Sequence, residues 1–528
     1  MKGVFNSIRN DISSSIVVFL VAVPLCLGIA LASGAPFFSG MIAGIVGGII
    51  IGSISNSSLS VSGPAAGLTA VVLAGIATLG SFQVFLCAVF LAGAMQFILG
   101  LLKAGSIANY FPGSVIKGML TGIGIIIMMK QVPHALGYNQ EGTNTINSFS
   151  GLLSNFHPGV TIITLLAFLV LIIWEKKLAK KIRLIPGALA AVILGIIVNQ
   201  AFILLYPEMA LKGRYLVNVP VADTLTDFLN FFALPEFSSI WNKDVWITAA
   251  TIAVVASVET LLCIDAVDKM DPLRRVTSQN RELKAQGIGN MVSGLLGGLP
   301  LTSVIVRSSA NVQAGAKTKA STIMHGVLLL ASCALVPQLL NMIPLGALAA
   351  ILIITGYKLA RIEIFKKMYH SGIYQFLPFI VTVVGVIATD LLKGVGLGLA
   401  TSAASILYLN MKNAYYFHKE TYHDGEIIRI LLSEEVSFLN KASIKMTLQH
   451  LPKHSKVIID ASKAKYIDFD VLELIREFKD IQAPEKQIDC QLTGFKESYG
   501  INNTYAVTSG PTSGFTNNIL QSNKYANV

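Results

Sequence analysis

Hydrophobic residues occur in long runs separated by short polar segments over most of the chain, up to about residue 424. A membrane-crossing helix needs about 20 mainly apolar residues, and a helix that stops inside the membrane needs fewer. The pattern therefore predicts fourteen spans, several of them too short to cross alone. Their predicted bounds are 13–33, 39–54, 64–79, 83–102, 113–132, 159–174, 185–205, 245–267, 285–299, 302–315, 320–337, 344–357, 374–390 and 394–411.

The pattern changes after residue 424, where short apolar groups alternate with polar ones. Residues 427–432, 456–460 and 487–492 are predicted to be strands, and residues 441–451 and 469–478 to be helices. Alternating strands and helices are typical of a small α/β domain. We expect four parts: a cytoplasmic N-terminus (1–12), a transmembrane domain (13–415), this α/β domain (424–495) and a disordered tail (496–528) rich in Asn, Ser, Thr and Gly.

Composition supports a polytopic membrane protein. The chain has 528 residues, of which 53% are hydrophobic and 13% are charged, whereas soluble domains carry about 25% charged residues. Five single cysteines show no metal-ligand spacing or disulfide framework, so no metal or cofactor is expected. The N-terminal segment has no cleavage site before its first apolar run, so no removable signal peptide is expected.

Basic residues predict the orientation. The net charge is +11, and Lys and Arg concentrate after predicted spans six, eight and twelve, whereas residues 133–158 contain neither. Basic loops remain cytoplasmic, so both termini are expected in the cytoplasm of a cell with a bacterial-type inner membrane. The basic residues are Lys176, Lys177, Lys180, Lys181 and Arg183; Lys269, Arg274, Arg275, Arg281 and Lys284; and Lys358, Arg361, Lys366 and Lys367.

Two short predicted spans, the third and the tenth, begin at Gly/Pro breaks in corresponding positions of two seven-span repeats. Such paired breaks indicate a transporter's midplane site, although Gly and Pro are also common in ordinary membrane helices. Helix N-termini attract anions through free N–H groups and the helix dipole. The predicted anion contacts are Gly63, Pro64, Ala65, Ala66, Gly67 and Thr69 in the first break, and Val304, Ile305, Val306 and Arg307 in the second.

Glu259 and Arg307 are charged residues within apolar sequence, where an unpaired charge is unfavourable and often functional. Arg307 would supply a fixed positive charge near the anion, or else extend its charge toward the membrane surface in a structural role. A buried Glu259 would bind and release a proton and so couple transport to protons. Alternatively, the two residues form a permanent pair that joins spans eight and ten.

Three segments resemble the sulfate permease (SulP) family, called solute carrier family 26 in animals. They are residues 23–36 (VPLCLGIALASGAP), residues 259–263 with 280–290 (ETLLC and NRELKAQGIGN), and residues 307–312 with 315–318 (RSSANV and GAKT). The C-terminal segment resembles a STAS domain. The resemblance implies fourteen spans in a seven-plus-seven inverted repeat, with core and gate domains. It also implies an anion between half-helices three and ten, elevator-type transport and a homodimer.

The chain departs from sodium-coupled relatives at two positions. Cys263 and Ile305 stand where those relatives carry hydroxyl residues, and sodium prefers oxygen ligands. Proton coupling is therefore favoured over sodium coupling. Leu25 stands where the first-span motif usually has Gln, which removes one polar group expected near the substrate.

Asp468 and Asp470 occupy the loop where STAS domains of the anti-sigma antagonist type carry a phosphorylatable Ser. A permanent acid there favours either a regulatory or partner-binding role or simple capping of the helix that follows.

We therefore expect a proton-coupled secondary transporter of a small inorganic anion, sulfate or bicarbonate, by symport or exchange. The alternatives are a proton-coupled C4-dicarboxylate symporter and, in another class, an uncoupled anion channel. An enzyme is not expected, because the sequence offers no nucleophile triad and only His325 of the eight histidines lies inside a predicted span. The expected partners are the anion, a proton, the bilayer and a second copy of the chain, with no nucleic acid.

Overall fold

A computed structural model describes residues 2–106, 112–138, 156–174, 186–222, 224–389, 391–412, 415–422 and 425–504. The chain divides into two compact units, Met1–Ser402 and Ala403–Val528. The basic segment at Lys176–Arg183 and residues 505–528 of the expected tail lie outside the described residues.

The first unit consists mainly of helices, most of them apolar, and every predicted span contains a helix. In the described part, eight helices are long and apolar enough to cross a membrane, and four shorter apolar helices accompany them. The chain is therefore a multi-pass membrane protein. The helices are α1 (Lys2–Ala32), α2 (Phe37–Val46), α3 (Thr69–Leu79), α4 (Phe82–Leu101), α5 (Gly113–Leu136), α6 (Pro158–Ile173), α7 (Gly187–Leu205), α8 (Lys243–Met270), α9 (Gln279–Leu296), α10 (Ile305–Gln313), α11 (Ala320–Leu335), α12 (Leu345–Leu359), α13 (Ile362–His370), α14 (Ile373–Ala388) and α15 (Leu391–Lys412).

Glycines allow α4 and α9 to pack with their backbones in contact. A Cβ atom at Gly93 would lie 2.5 Å from the backbone N of Met291, and a Cβ atom at Gly287 would lie 2.6 Å from that of Phe97. Small residues at such interfaces permit close packing between membrane helices. The contact holds α9, which carries many polar residues, inside the protein.

The remaining helices form recognisable packing groups. In one group, α8 packs on α4, and α1 packs on α2 and α11. In the other, α5 packs on α12 and α14, and α6 packs on α7. Gly124 and Gly356 again bring two helices together, since a Cβ atom at Gly124 would lie 2.5 Å from Gly356 O. The predictions from sequence did not include α13, a short helix between α12 and α14.

The N-terminus and two helix connections lie on the same side of the first unit. Buried Asp11 accepts hydrogen bonds from the backbone N–H groups of Lys317 (2.7 Å) and Thr318 (3.1 Å) and from the Thr318 hydroxyl (2.5 Å). Arg275 donates to Lys317 O at 3.0 Å and pairs with Asp271 at 2.6 Å. These contacts join the start of α1 to the segments that follow α8 and α10.

The second unit is an α/β region. Its main sheet has the order β3–β4–β6–β8, formed by β3 (Tyr415–Tyr422), β4 (Gly425–Leu432), β6 (Lys456–Asp460) and β8 (Asp489–Thr493). β3 is antiparallel to β4, and the other neighbours are parallel. A small second sheet pairs β5 (Glu435–Val436) with β7 (Tyr466–Ile467), and the helices are α16 (Lys441–Gln449) and α17 (Phe469–Glu477).

The alternation of strands and helices predicted from the sequence is confirmed in this unit. Its core joins Ile428 and Ile430 of β4, Val457 and Ile459 of β6, and Ile475 of α17, all nearly inaccessible to solvent. Strand β3 was not predicted, and it precedes residue 424, where the α/β domain was expected to begin. Residue 501 of the expected tail, an Ile, packs against the same core.

Candidate functional site

The two Gly/Pro breaks lie side by side. Strands β1 (Ser62–Pro64) and β2 (Leu301–Ser303) form an antiparallel pair, with Gly63 opposite Thr302 and Pro64 opposite Leu301. Each strand leads almost directly into a helix, β1 through the turn Ala66–Leu68 into α3, and β2 through Val304 into α10. Because the strands are antiparallel and about 10 Å long, the two helices begin near opposite ends of the same short strand pair.

Backbone N–H groups without a partner in their helix lie at the start of α10, whereas at the first half-helix the N–H of Gly67 is engaged by Glu259. The first N–H groups of a helix have no partner inside it. In α10 the first helical bond runs from Ser308 N to Val304 O at 3.0 Å, so the N–H groups of Ile305, Val306 and Arg307 have no partner within the helix. Neither Ala65 nor Val304 caps its helix with a side-chain hydrogen bond. This arrangement can bind an anion through backbone groups.

The predicted contact residues differ in their access to solvent. Ile305 and Val306 are 42% and 45% exposed. Val304 and Ala66 are partly buried, whereas Gly63, Pro64, Ala65, Gly67 and Thr69 are buried. The Thr69 hydroxyl donates to Ala66 O at 2.7 Å and is therefore engaged with its own helix turn. The open side of the site is thus lined by apolar side chains of α10.

Glu259, on α8, contacts the start of the first half-helix. Its carboxyl group accepts a hydrogen bond from the backbone N–H of Gly67. A Cβ atom at Gly67 would lie 2.6 Å from both carboxyl oxygens, so glycine is required for this approach. Oε2 of Glu259 is shielded from solvent and has no hydrogen-bond partner among the described residues. One oxygen of the carboxyl group is therefore available to a proton or another ligand.

Arg307 is fully buried and lies beside β1. Its Nη2 donates to Cys26 Sγ at 3.3 Å, and Nε and Nη1 have no partner in the described part of the chain. A Cβ atom at Gly63 would meet the guanidinium group, so glycine at this position leaves room for it. Arg307 thus places a positive charge behind the first break, away from exposed Ile305 and Val306.

Glu259 and Arg307 have separate partners. Glu259 contacts Gly67 on the α3 side, and Arg307 contacts Cys26 on α1. The permanent Glu–Arg pair considered from the sequence is therefore not formed. The two charges act at different points of the site.

Several hydroxyl groups were not predicted as part of this neighbourhood. Ser303 N donates to Thr260 Oγ1 at 3.2 Å, Ser303 Oγ donates to Cys263 Sγ at 3.2 Å, and the Ser303 and Ser60 hydroxyl groups are in contact. Ser308 Oγ accepts from Val61 N at 2.9 Å. The only signal in the sequence was the abundance of Ser and Thr beside the two breaks. These groups tie both breaks to α8.

In the second unit, Asp468 caps α17. Its Oδ1 accepts a hydrogen bond from Asp470 N at 3.0 Å, and Asp470 forms an ion pair with Lys441 at 3.4 Å. These contacts favour the capping role that was considered beside the regulatory one.

The chain matches known proteins over most of its length. The sulfate permease family matches residues 8–382. The bicarbonate transporter BicA of Picosynechococcus sp. is 26% identical over 459 residues, covering 85% of this chain and 78% of BicA. The structure of the transmembrane domain of a cyanobacterial BicA is 26% identical, covers 74% of this chain and 98% of that one, and has a TM-score of 0.63.

A second solved structure shows the fold alone. Murine solute carrier 26 family member A9, an anion transporter in the inward-facing state, is 14% identical with a TM-score of 0.72, covering 93% of this chain and 86% of that one. The proteins in these comparisons are transporters and not enzymes, as expected from the sequence. The match spans more than half of the chain, and the chain belongs to the sulfate permease family.

Proposed function

We propose that this chain is a secondary transporter of a small inorganic anion, sulfate or bicarbonate, coupled to protons. The observation that carries the proposal is the pairing of β1 with β2, which brings the starts of both half-helices to the two ends of one short strand pair. The anion binds between the N–H groups of Ala66 and Gly67 and those of Ile305 and Val306. Gly63, Pro64, Ala65, Thr69 and Val304 shape this site. The family name and the BicA relative support both candidate anions.

Arg307 contributes a fixed positive charge to the anion site. The guanidinium is buried, and two of its nitrogens have no partner in the described residues, so its field is weakly screened. The side chain lies behind Gly63 and acts through space on an anion at the helix N-termini.

Glu259 couples anion transport to protons. Its ionised carboxyl group holds the Gly67 N–H, which is one of the groups that would bind the anion. Protonation weakens this hydrogen bond and removes a negative charge beside the site. The anion and the proton therefore bind together, which is the requirement for symport.

Sodium coupling is disfavoured by the side chains around Glu259. Cys263 is a thiol, and it accepts a hydrogen bond from Ser303. The Thr260 hydroxyl accepts from Ser303 N, so one of the two lone pairs of its oxygen is engaged. Ile305 has no oxygen in its side chain.

Transport follows an elevator movement in a homodimer with fourteen spans arranged as a seven-plus-seven inverted repeat. The core contains β1, β2, α1–α4 and α8–α11, and the gate contains α5–α7, α12, α14 and α15. The packing of α8 and α9 on α4, and of α12 and α14 on α5, supports this division. Both termini are cytoplasmic, the membrane is an inner membrane, and the C-terminal unit is a STAS domain.

Uptake by purified protein in proteoliposomes tests this function. Labelled sulfate, bicarbonate and succinate are supplied separately, each with an imposed proton gradient, sodium gradient or neither. We expect saturable uptake of sulfate or bicarbonate that an inward proton gradient stimulates. Preferred uptake of succinate would identify a dicarboxylate symporter, and non-saturating current independent of both gradients would identify a channel. Stimulation by sodium alone would overturn proton coupling.

A further inference from the structure

One face of α9 carries a row of buried polar side chains. Glu282, Gln286, Asn290 and Ser293 are each 0% exposed. Their spacing of four, four and three residues places them on the same side of the helix. A buried polar row in an otherwise apolar protein is unfavourable unless each group has partners. Most of the partners lie in or just before the two strands that lead to the candidate anion site, and Gln286 Oε1 has no partner among the described residues.

The two residues of the row nearest the start of α9, Glu282 and Gln286, hold β1 and the segment that leads into it. Gln286 Nε2 donates to Ser62 Oγ at 2.7 Å, and Ser62 is the first residue of β1. The same nitrogen donates to Glu282 Oε1 at 3.0 Å, and Glu282 Oε2 accepts from Ser55 Oγ at 2.5 Å. The chain segment that enters β1 is therefore attached to α9 at both Ser55 and Ser62.

Asn290 holds β2. Its Nδ2 donates to Leu301 O at 3.1 Å, and its Oδ1 accepts from Leu301 N at 2.6 Å. Across the strand pair, Leu301 faces Pro64, which has no N–H group to donate. The side-chain amide of Asn290 thus satisfies both backbone polar groups of the first residue in β2, and Ser293 Oγ donates to Leu299 O just before it at 2.7 Å.

The row also reaches α8 near Glu259. Asn290 Nδ2 donates to Gln96 Oε1 at 2.6 Å, and Gln96 Nε2 donates to Ser257 Oγ at 3.2 Å. Ser257 lies two residues before Glu259 on α8. One helix face is thereby hydrogen-bonded to β1, to β2 and, through Gln96, to the helix of the proposed coupling residue.

We propose that Gln286 and Asn290 are positioning residues that set the separation of the two helix N-termini and thereby the affinity for the anion. Neither residue touches the proposed anion position. A slip of the strand pair by one residue would move one N-terminus by about 3.3 Å relative to the other, beyond the tolerance of hydrogen bonds to a shared anion. The inference rests on the proposed function and adds the residues that determine its binding geometry.

The chain offers a matched control for Asn290. Asn199 on α7 makes the same two bonds to a leucine backbone, donating to Leu211 O at 3.2 Å and accepting from Leu211 N at 2.8 Å. It is also buried, and the segment that it holds around Leu211 leads to neither β1 nor β2. Asn290→Ala and Asn199→Ala therefore remove equivalent contacts to a leucine backbone at different places, and Asn290→Ala also removes the bond to Gln96.

The test compares KM and maximal rate for sulfate and bicarbonate uptake in proteoliposomes, together with the Tm of each variant. We expect Asn290→Ala to raise KM at least about tenfold with a smaller change in maximal rate, because a binding geometry is lost. We expect Asn199→Ala to lower Tm to a similar extent while KM stays within about twofold of the wild-type value. Gln286→Ala, which removes the bond to Ser62 of β1 and leaves β2 attached, should raise KM as Asn290→Ala does.

If Asn290→Ala does not fold, Gln286→Ala decides the question. An unchanged KM in the folded variants, with Tm lowered as in Asn199→Ala, would show a purely structural role and overturn the inference while the proposed function stands. Absence of saturable anion uptake by the wild-type protein would instead overturn the proposed function itself.

Discussion

The backbone N–H of Gly67 donates a hydrogen bond to the carboxyl group of Glu259. Gly67 lies in the turn that opens the first half-helix, where the helix dipole favours a negative charge. The Glu259 carboxylate therefore occupies part of the place where an external anion would bind. Because a protonated carboxyl group is a weaker acceptor, proton binding and anion binding favour each other at this position.

Replacement of Glu259 tests the coupling directly. Glu259→Gln retains the size of the side chain and cannot be ionised, so uptake should no longer respond to an imposed proton gradient. Uptake at several external pH values, with and without the gradient, measures this. Asp265→Asn is the control, because Asp265 is on the same helix but lies in an exposed ion pair with Lys269. A gradient response retained in Glu259→Gln would contradict the coupling role.

Gly67 should not tolerate a side chain. In Gly67→Ala the added Cβ atom would meet both carboxyl oxygens of Glu259. Overpacking of this kind costs about 1–3 kcal/mol. If this cost destabilises the anion-bound state, it corresponds to a roughly 5- to 150-fold loss of uptake. Gly396→Ala is the control, because nothing lies near its Cβ position. Equal uptake by the two variants would argue against a tight contact between Gly67 and Glu259.

Arg307 should favour anion binding at the expense of stability. Arg307→Met removes a buried charge with two unpartnered nitrogens, so its Tm should be equal to or above that of the wild type. The same variant should raise KM for the anion about tenfold, or about 1.4 kcal/mol of binding free energy. Thermal unfolding and uptake kinetics measure the two effects. A lower Tm with unchanged KM would identify Arg307 as a structural residue.

Sodium should not drive transport. The thiol of Cys263 and the methyl groups of Ile305 stand where oxygen ligands would be needed, and hard cations bind oxygen. An inward sodium gradient at equal pH on both sides should therefore leave the initial rate of uptake unchanged, with potassium as the comparison salt. A rate that rises with sodium and saturates would mean that hydroxyl groups such as those of Thr260 and Ser303 complete a sodium site.

Two substitutions at Asp468 separate capping from regulation by charge. Asn is an effective helix cap, so Asp468→Asn should preserve α17, whereas Asp468→Ala should destabilise it by about 1 kcal/mol. Hydrogen exchange of the amide groups at the start of α17 in the full-length protein measures this. We expect wild-type uptake from Asp468→Asn. Altered uptake in that variant, with normal exchange in α17, would instead support a regulatory role for the negative charge.

The sequence by itself determined the membrane class, the positions of the helices of the first unit except α13, and the α/β nature of the C-terminal unit. It also located both breaks, because hydrophobic runs and Gly/Pro interruptions are local features that act on the segment containing them. The sequence therefore pointed to residues 62–69 and 298–307 as the region of the site. It did not reveal β3, because the residues that make it a strand are its neighbours in β4.

Tertiary structure decided which side chains meet in the site. Arg307 contacts Cys26, which is 281 residues away, and Glu259 contacts Gly67 and not Arg307. Asn290 completes the hydrogen bonding of Leu301 only because α9 is packed close to β2. Such contacts depend on how separate helices and strands pack together, so hydrophobic periodicity can place each helix but cannot assign partners to its polar groups.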